Sequence, residues 1–122
     1  GLNLGFMDQD RFDIDYEGSR ILADTRVNGD VKSNKDICLN GFIEGNIYCA
    51  GCVIINRNAV VDGDVDCEAL FLNGKITGNA SVDHKSVLGA DAEIRGGLIT
   101  TSLEISPGAK IGLGLKLKNA SK

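Results

Sequence analysis

Apolar residues fall at alternate positions in short runs along this chain, and the runs return in one arrangement. Ala59-Val-Val-Asp-Gly-Asp-Val65 shows it: small residue, any, aliphatic, any, glycine, any, aliphatic. The same phrase appears at 25–31, 41–47, 74–80 and 92–98. A sixth copy, 109–115, is degraded, with Leu113 where the glycine belongs. The marker position therefore stands at 29, 45, 63, 78, 96 and 113, in steps of 16, 18, 15, 18 and 17. Alternation within each phrase predicts strands whose side chains point in and out by turns. Recurrence of whole phrases predicts coils stacked on one another, a β-solenoid of about six coils.

Each later phrase is preceded by a second apolar pair: Ile37 and Leu39, Val53 and Ile55, Leu70 and Leu72, Leu103 and Ile105. In one coil Ser86 and Leu88 take these places. The residues between them, Cys38, Ile54, Phe71, Val87 and Glu104, are expected to face outward. Ile54, Phe71 and Val87 would then form an exposed apolar stripe, a candidate contact surface. The turn after each pair is either short (Asn40-Gly41, Asn73-Gly74) or two residues longer (56–59, 89–92, 106–109). Length variation thus falls at corners. A one-residue slip inside a strand would turn its core face outward.

The ends differ from the repeat. Residues 1–18 do not match it and read as a tail or a capping segment. Within them Phe12, Ile14 and Tyr16 alternate with aspartates, which predicts a half-buried strand lying across the first coil. Ile21 is expected to open that coil, because Ile21 to Thr25 is spaced like Ile55 to Ala59. The β-helix proper is read as 19–118, followed by a polar tail, 119–122. Its last strand carries Leu113, Leu115 and Leu117 after Ile111, with no capping element behind it. This end is expected to present strand edges and part of the core column, a state that proteins either cover or use for pairing with another chain.

Composition supports one slender domain. Among 122 residues there are 16 glycines, one proline, no Trp and only 5% aromatics. A globular core of this size usually rests on several aromatics, whereas a solenoid core is a narrow column of Val, Ile and Leu. Net charge is −4, which argues against nucleic acid, since phosphate recognition needs a basic face. No run of 18 apolar residues exists to span a membrane, and residues 1–6 are too short and uncharged for a signal peptide.

Chemistry is thin. Cys49-Ala-Gly-Cys52 resembles half a zinc site or a redox pair, but Cys38 and Cys67 stand alone and supply no second close pair. The repeat gives a plainer account: Cys49 and Cys67 each follow their marker glycine by four residues and so stack, with Ser33, Val82 and Thr100 on the same rungs. Four cysteines without a disulfide framework suit a reducing compartment. Asp62-Gly-Asp64-Val-Asp66 invites a calcium reading, but the later positions of such a loop hold Cys67 and Asn73, and alternation places these carboxylates in solvent. His84, the only histidine, lies among charges at a turn, which is weak ground for a general base. The glycines precede strands rather than helices, so no phosphate loop is indicated. No cofactor or metal is expected.

Three phrases together carry a family resemblance: 36–47, then Val53-Ile-Ile55 with 59–65, then 103–109. Their ordered series over roughly 20–112 resembles the bactofilins, bacterial polymer-forming cytoskeletal proteins. The resemblance implies a right-handed, three-sided β-helix assembling end to end into filaments without nucleotide. It also implies a non-enzymatic cytoplasmic scaffold, often at the inner membrane, that serves cell shape or envelope-building partners. Polymer contacts would then fall on Ile111, Leu113, Leu115 and Leu117 at one end, with Phe12, Ile14, Tyr16 and Ile21 forming a contact or a cap at the other. One departure stands out: Ile111 occupies a place where the family often carries Phe, which implies weaker end contacts.

Two other readings compete. A left-handed β-helix acyltransferase needs an unbroken six-residue phase, but from Ile55 the sixth positions run Val61, Cys67, Asn73 and the phase fails. A non-polymerising binding module would use the lateral stripe alone.

Overall fold

The structure is a computed structural model, and it describes residues 11–14, 20–22 and 26–119. All its regular elements are β-strands. After β1 (Arg11–Ile14) the chain runs through triplets of strands, one triplet to a coil. The first two are β2–β4 (Arg20–Leu22, Arg26–Asn28, Asp30–Ser33) and β5–β7 (Ile37–Leu39, Phe42–Glu44, Ile47–Cys49). Then come β8–β10 (Cys52–Ile55, Val60–Asp62, Val65–Cys67) and β11–β13 (Ala69–Leu72, Lys75–Ile76, Ala80–Val82). The last are β14–β16 (Lys85–Leu88, Glu93–Ile94, Gly97–Thr100) and β17–β19 (Ser102–Ile105, Lys110–Ile111, Gly114–Leu117).

Equivalent strands of successive coils pair in parallel and build three sheets. The first face runs from β2 to β17, the second from β3 to β18, and the third from β1 to β19. The result is the β-solenoid that the repeat predicts, built of three sheets as the resemblance implies, with about five turns between the first and last strand of a face. Each glycine phrase spans two faces, with its marker glycine at the corner between them.

Alternation decides which residues fill the interior. On the second face Val27, Ile43, Val61, Ile76, Ile94 and Ile111 lie in one register column. On the third, Val31, Ile47, Val65, Ala80 and Leu98 are all buried, and Leu115 continues their column. Fully burying one such aliphatic side chain contributes about 1.5–3 kcal/mol. The column of small residues is also present: Ser33, Cys49, Cys67, Val82 and Thr100 are all buried. Ser86 interrupts the apolar first face, and its hydroxyl bonds Thr100 Oγ1 at 2.9 Å inside the core. That bond explains how a polar residue is tolerated there.

The marker glycines are required by close approach. At Gly63 a Cβ would stand 2.2 Å from the Gly45 carbonyl oxygen of the coil before, and at Gly45 the same distance from Gly29 O. The corners touch through backbone, with Gly78 N donating to Gly63 O and Gly96 N to Gly78 O, each at 2.9 Å. In the degraded copy Leu113 still donates to Gly96 O at 3.0 Å. Glycines have moved to its flanks, at 112 and 114.

A second ladder runs beside the first through the residue after each marker. Asp30 Oδ1 accepts from Asn46 N, Asn46 Oδ1 from Asp64 N, Asp64 Oδ1 from Asn79 N, and Asn79 Oδ1 from Gly97 N. All four bonds are 2.8–2.9 Å. Each side chain satisfies a corner amide that the turn leaves without a strand partner. The ladder ends at Gly97, which has no side chain.

Two expectations need correction at the N-terminal side. The strand expected over Phe12 to Tyr16 is present as β1, but it pairs in parallel with β4, Phe12 opposite Val31 and Ile14 opposite Ser33. It extends the third face by one rung instead of crossing the open coil; Tyr16 lies outside the described residues. Period-two alternation announces a strand but not its neighbour. Ile21 also does not take the place equivalent to Ile55. Leu22 pairs with Leu39, which pairs with Ile55, while Ile21 pairs with Cys38. The first corner is thus one residue shorter than the spacing with Ile55 suggested.

Candidate assembly surfaces

Among the described residues the final coil has neighbours on one side only, and its columns show the consequence. Leu98 is 1% exposed, and Leu115, directly next in its column, is 45% exposed. On the first face Leu88 is fully buried and its partner Ile105 is 49% exposed. Leu113 at the corner is 81% exposed, and Leu117 is also exposed. Ile111 and Leu103 remain partly buried against the core. Ile111, Leu113, Leu115 and Leu117 therefore sit together on one terminal coil, joined by Ile105, which the sequence reading placed in the core pair. Phe12, Ile14 and Ile21 lie on the strands at the opposite end, by register.

The lateral stripe is formed as well. Cys38, Ile54, Phe71, Val87 and Glu104 succeed one another in a single register row of the first face. Phe71 is exposed and Cys38, Ile54 and Val87 are half-buried, while their strand neighbours Ile37, Leu39, Val53, Ile55, Leu70 and Leu72 are buried. The third face is different: Tyr48 and Ile99 are exposed singly, in a row that also holds Lys32, Asp66, Ser81 and Lys116. Isolated apolar residues of that kind need no partner.

The chemistry-bearing residues serve the frame. The Cys49 thiol donates to Lys35 O at 3.2 Å, and its sulfur accepts from Gly51 N at 3.3 Å. Burial raises its pKa, with the nearby Asp36 and Glu68 carboxylates pushing the same way. Burial also raises Cys67, and it pushes Cys52 up to about 11, aided by Asp36. These thiols are poor nucleophiles near neutrality, because the thiolate is the reactive form. Among the described residues no group of three His, Cys, Asp or Glu is placed to hold a metal ion.

Asp62, Asp64 and Asp66 are exposed as expected, but they are not idle. Asp62 accepts from Thr77 Oγ1 at 2.7 Å, and Asp64 is a rung of the corner ladder. The ladder was missed from sequence, although Gly-Asx recurs at 29–30, 45–46, 63–64 and 78–79. His84 is exposed, and its carbonyl accepts from the amides of Thr101 and Ser102. An open polar notch of about 580 Å³ lies where the short turn at Asn73-Gly74 falls between two longer corners. Arg57 and Asp91 bridge those corners at 2.9 Å. Both are well exposed, so the pair contributes little to stability. Among the described residues no helix is long and apolar enough to cross a membrane.

The class that the described residues define is a parallel three-sheeted β-solenoid, with several aliphatic side chains exposed on its last described coil. The chain is a member of the bactofilin family: the model of that family, described as polymer-forming cytoskeletal, matches residues 19–113. It is similar to Bactofilin BacO of Myxococcus xanthus (strain DK1622), 26% identical over 92 residues, covering 75% of this chain and 70% of that protein. No solved structure matches it significantly.

Proposed function

We propose that this chain is a non-enzymatic scaffold subunit that polymerises by end-to-end stacking of its solenoids. The observation that carries this reading is the terminal coil, where Ile105, Leu113, Leu115 and Leu117 are all exposed on one unpaired edge. A second coil stacked there would cover those side chains and continue the backbone ladders, as each coil does for the one before it. The contact is read as needing no nucleotide, since the side chains it would cover, Ile105, Leu113, Leu115 and Leu117, are all aliphatic. Family membership supports a right-handed coil and a cytoplasmic scaffold serving cell shape or envelope-building proteins, with itself as its main partner.

Leu115→Glu places a charge in the column that the next subunit would bury. An uncompensated buried carboxylate costs several kcal/mol, which is enough to abolish stacking. Leu115→Glu and Ile111→Glu are each expected to yield short particles by negative-stain electron microscopy where the parent gives filaments. Far-UV circular dichroism should retain the β-rich signal in both. Filaments indistinguishable from the parent's would remove the last coil as the contact.

The lateral stripe supports a second role, because its four apolar or thiol residues lie in one continuous row. It is compatible with stacking, which leaves the first face free.

A further inference from the structure

Asn-Gly pairs stand at 28–29, 40–41 and 73–74. An asparagine followed by glycine is open to attack on its own side chain, because the next amide carries no bulk beside it. In a folded chain the attack depends on two groups: the glycine N–H and the carboxamide it must reach. The three pairs differ in both.

At the first pair the amide is committed, with Gly29 N donating to Glu44 O at 2.8 Å. At the second the carboxamide is committed, with Asn40 Oδ1 accepting from Asn56 Nδ2. The third pair has neither tie: among the described residues no hydrogen bond holds the Gly74 N–H or the Asn73 side chain. Corner length is the reason. In the longer corners the amide at this place turns back on the residue that opens the corner. Ala59 N donates to Asn56 O at 3.0 Å, Ala92 N to Gly89 O at 3.1 Å and Ala109 N to Ser106 O at 3.2 Å. The turn at Asn73-Gly74 is two residues shorter and cannot close that bond. The longer corners beside it also leave the notch that Asn73 and Gly74 line. Gly74 is buried there and Asn73 is exposed, so water reaches the carboxamide. Asn73 Oδ1 rests in the space that a side chain at position 89 would fill, a contact of shape alone.

We infer that Asn73-Gly74 is a site of spontaneous deamidation, selected among the three pairs by the fold. Gly74 N bonds to Asn73 Cγ, the Cγ–Nδ2 bond breaks, and ammonia leaves carrying the amide proton. The cyclic imide then takes up one water. Opening at Cγ leaves aspartate at that position. Opening at the backbone carbonyl leaves isoaspartate, whose main chain is one carbon longer. Either product alters the corner. A new carboxylate joins Asp91 and Glu93 around the notch. Isoaspartate also lengthens the chain between two fixed rungs, Asn73 N on Ile55 O at 2.8 Å and Lys75 N on Ala59 O at 3.0 Å. Register in β12 is set from that corner, so the added atom disturbs the second face in mid-stack. The inference is independent of end-to-end stacking.

The test is to age the full chain at mildly alkaline pH and map its peptides by mass spectrometry, with isoaspartate detected by a protein isoaspartyl methyltransferase. Position 73 is expected to convert at least about fivefold faster than 28 or 40, the factor that one hydrogen bond is worth. In urea the three rates should draw together. Conversion at 73 no faster than at the other two overturns the inference, and so does a preference for 73 that survives unfolding, since sequence alone would then explain it. Asn73→Gln is expected to remove most of the methyl incorporation. Asn56→Ala, which frees the Asn40 carboxamide, is expected to speed conversion at 40 and leave 73 unchanged. An unaltered rate at 40 counts against the hydrogen-bond account. Hydrogen exchange on the converted fraction should quicken at the Lys75 and Thr77 amides, and unchanged exchange there would overturn the effect on β12.

Discussion

Gly63 shows how little freedom a single residue has in this stack. Its backbone angles are open to other residues, but its missing side chain leaves the space that the Gly45 carbonyl enters. A methyl group there meets rigid backbone and must push two coils apart. Gly63→Ala is expected to lower stability by about 1–3 kcal/mol, read as a fall in urea midpoint with an unchanged slope. The thiols act at the same scale. Cys52 ionises at about 11 in the fold against 9.0 for the ordinary thiol. Its folded pKa is raised, so the stabilising contribution is complete below pH 9 and disappears as pH rises through 11. Burial pushes Cys49 and Cys67 in the same direction. The thermal midpoint is expected to fall across that window, and less steeply in Cys52→Ala and Cys67→Ala than in the parent.

At the scale of the strand and its corner, the side-chain ladder adds a tie that the sheets do not supply. Asn79→Ala leaves the Gly97 amide without its acceptor, at a cost of about 1 kcal/mol. Hydrogen exchange at Gly97 is expected to quicken by roughly fivefold to tenfold, with little change in the core amides of β13. This ladder was present in the sequence as a recurring Gly-Asx pair, yet it looked like a solvated corner because each partner lies 15–18 residues away. The strands themselves were legible, since burial imposes period two on Val, Ile and Leu wherever a column must be filled. The corners were less so. Ile21 and Leu22 are both apolar, and nothing in a one-dimensional pattern says which of them faces in when the turn after them changes length. Phe12 and Ile14 announced a strand, but only the register with β4 revealed that it lengthens a sheet.

For the whole molecule, Leu113, Leu115 and Leu117 were named together from their alternating run, and the structure has them exposed on the last described coil. Ile105 was not, because in every earlier coil its place is interior. Six rungs at about 4.8 Å make a rod near 30 Å long, so filaments are expected to show an axial repeat in small multiples of that length by image averaging. The corner ladder that ends at Gly97 gives this rod an uneven temper. The coil that would greet an arriving subunit lacks the last side-chain rivet holding its predecessors, and it has solvent where they have a neighbour. Growing tips should accordingly be softer than the shaft behind them, and each docking event would harden the tip it lands on while leaving a new soft one.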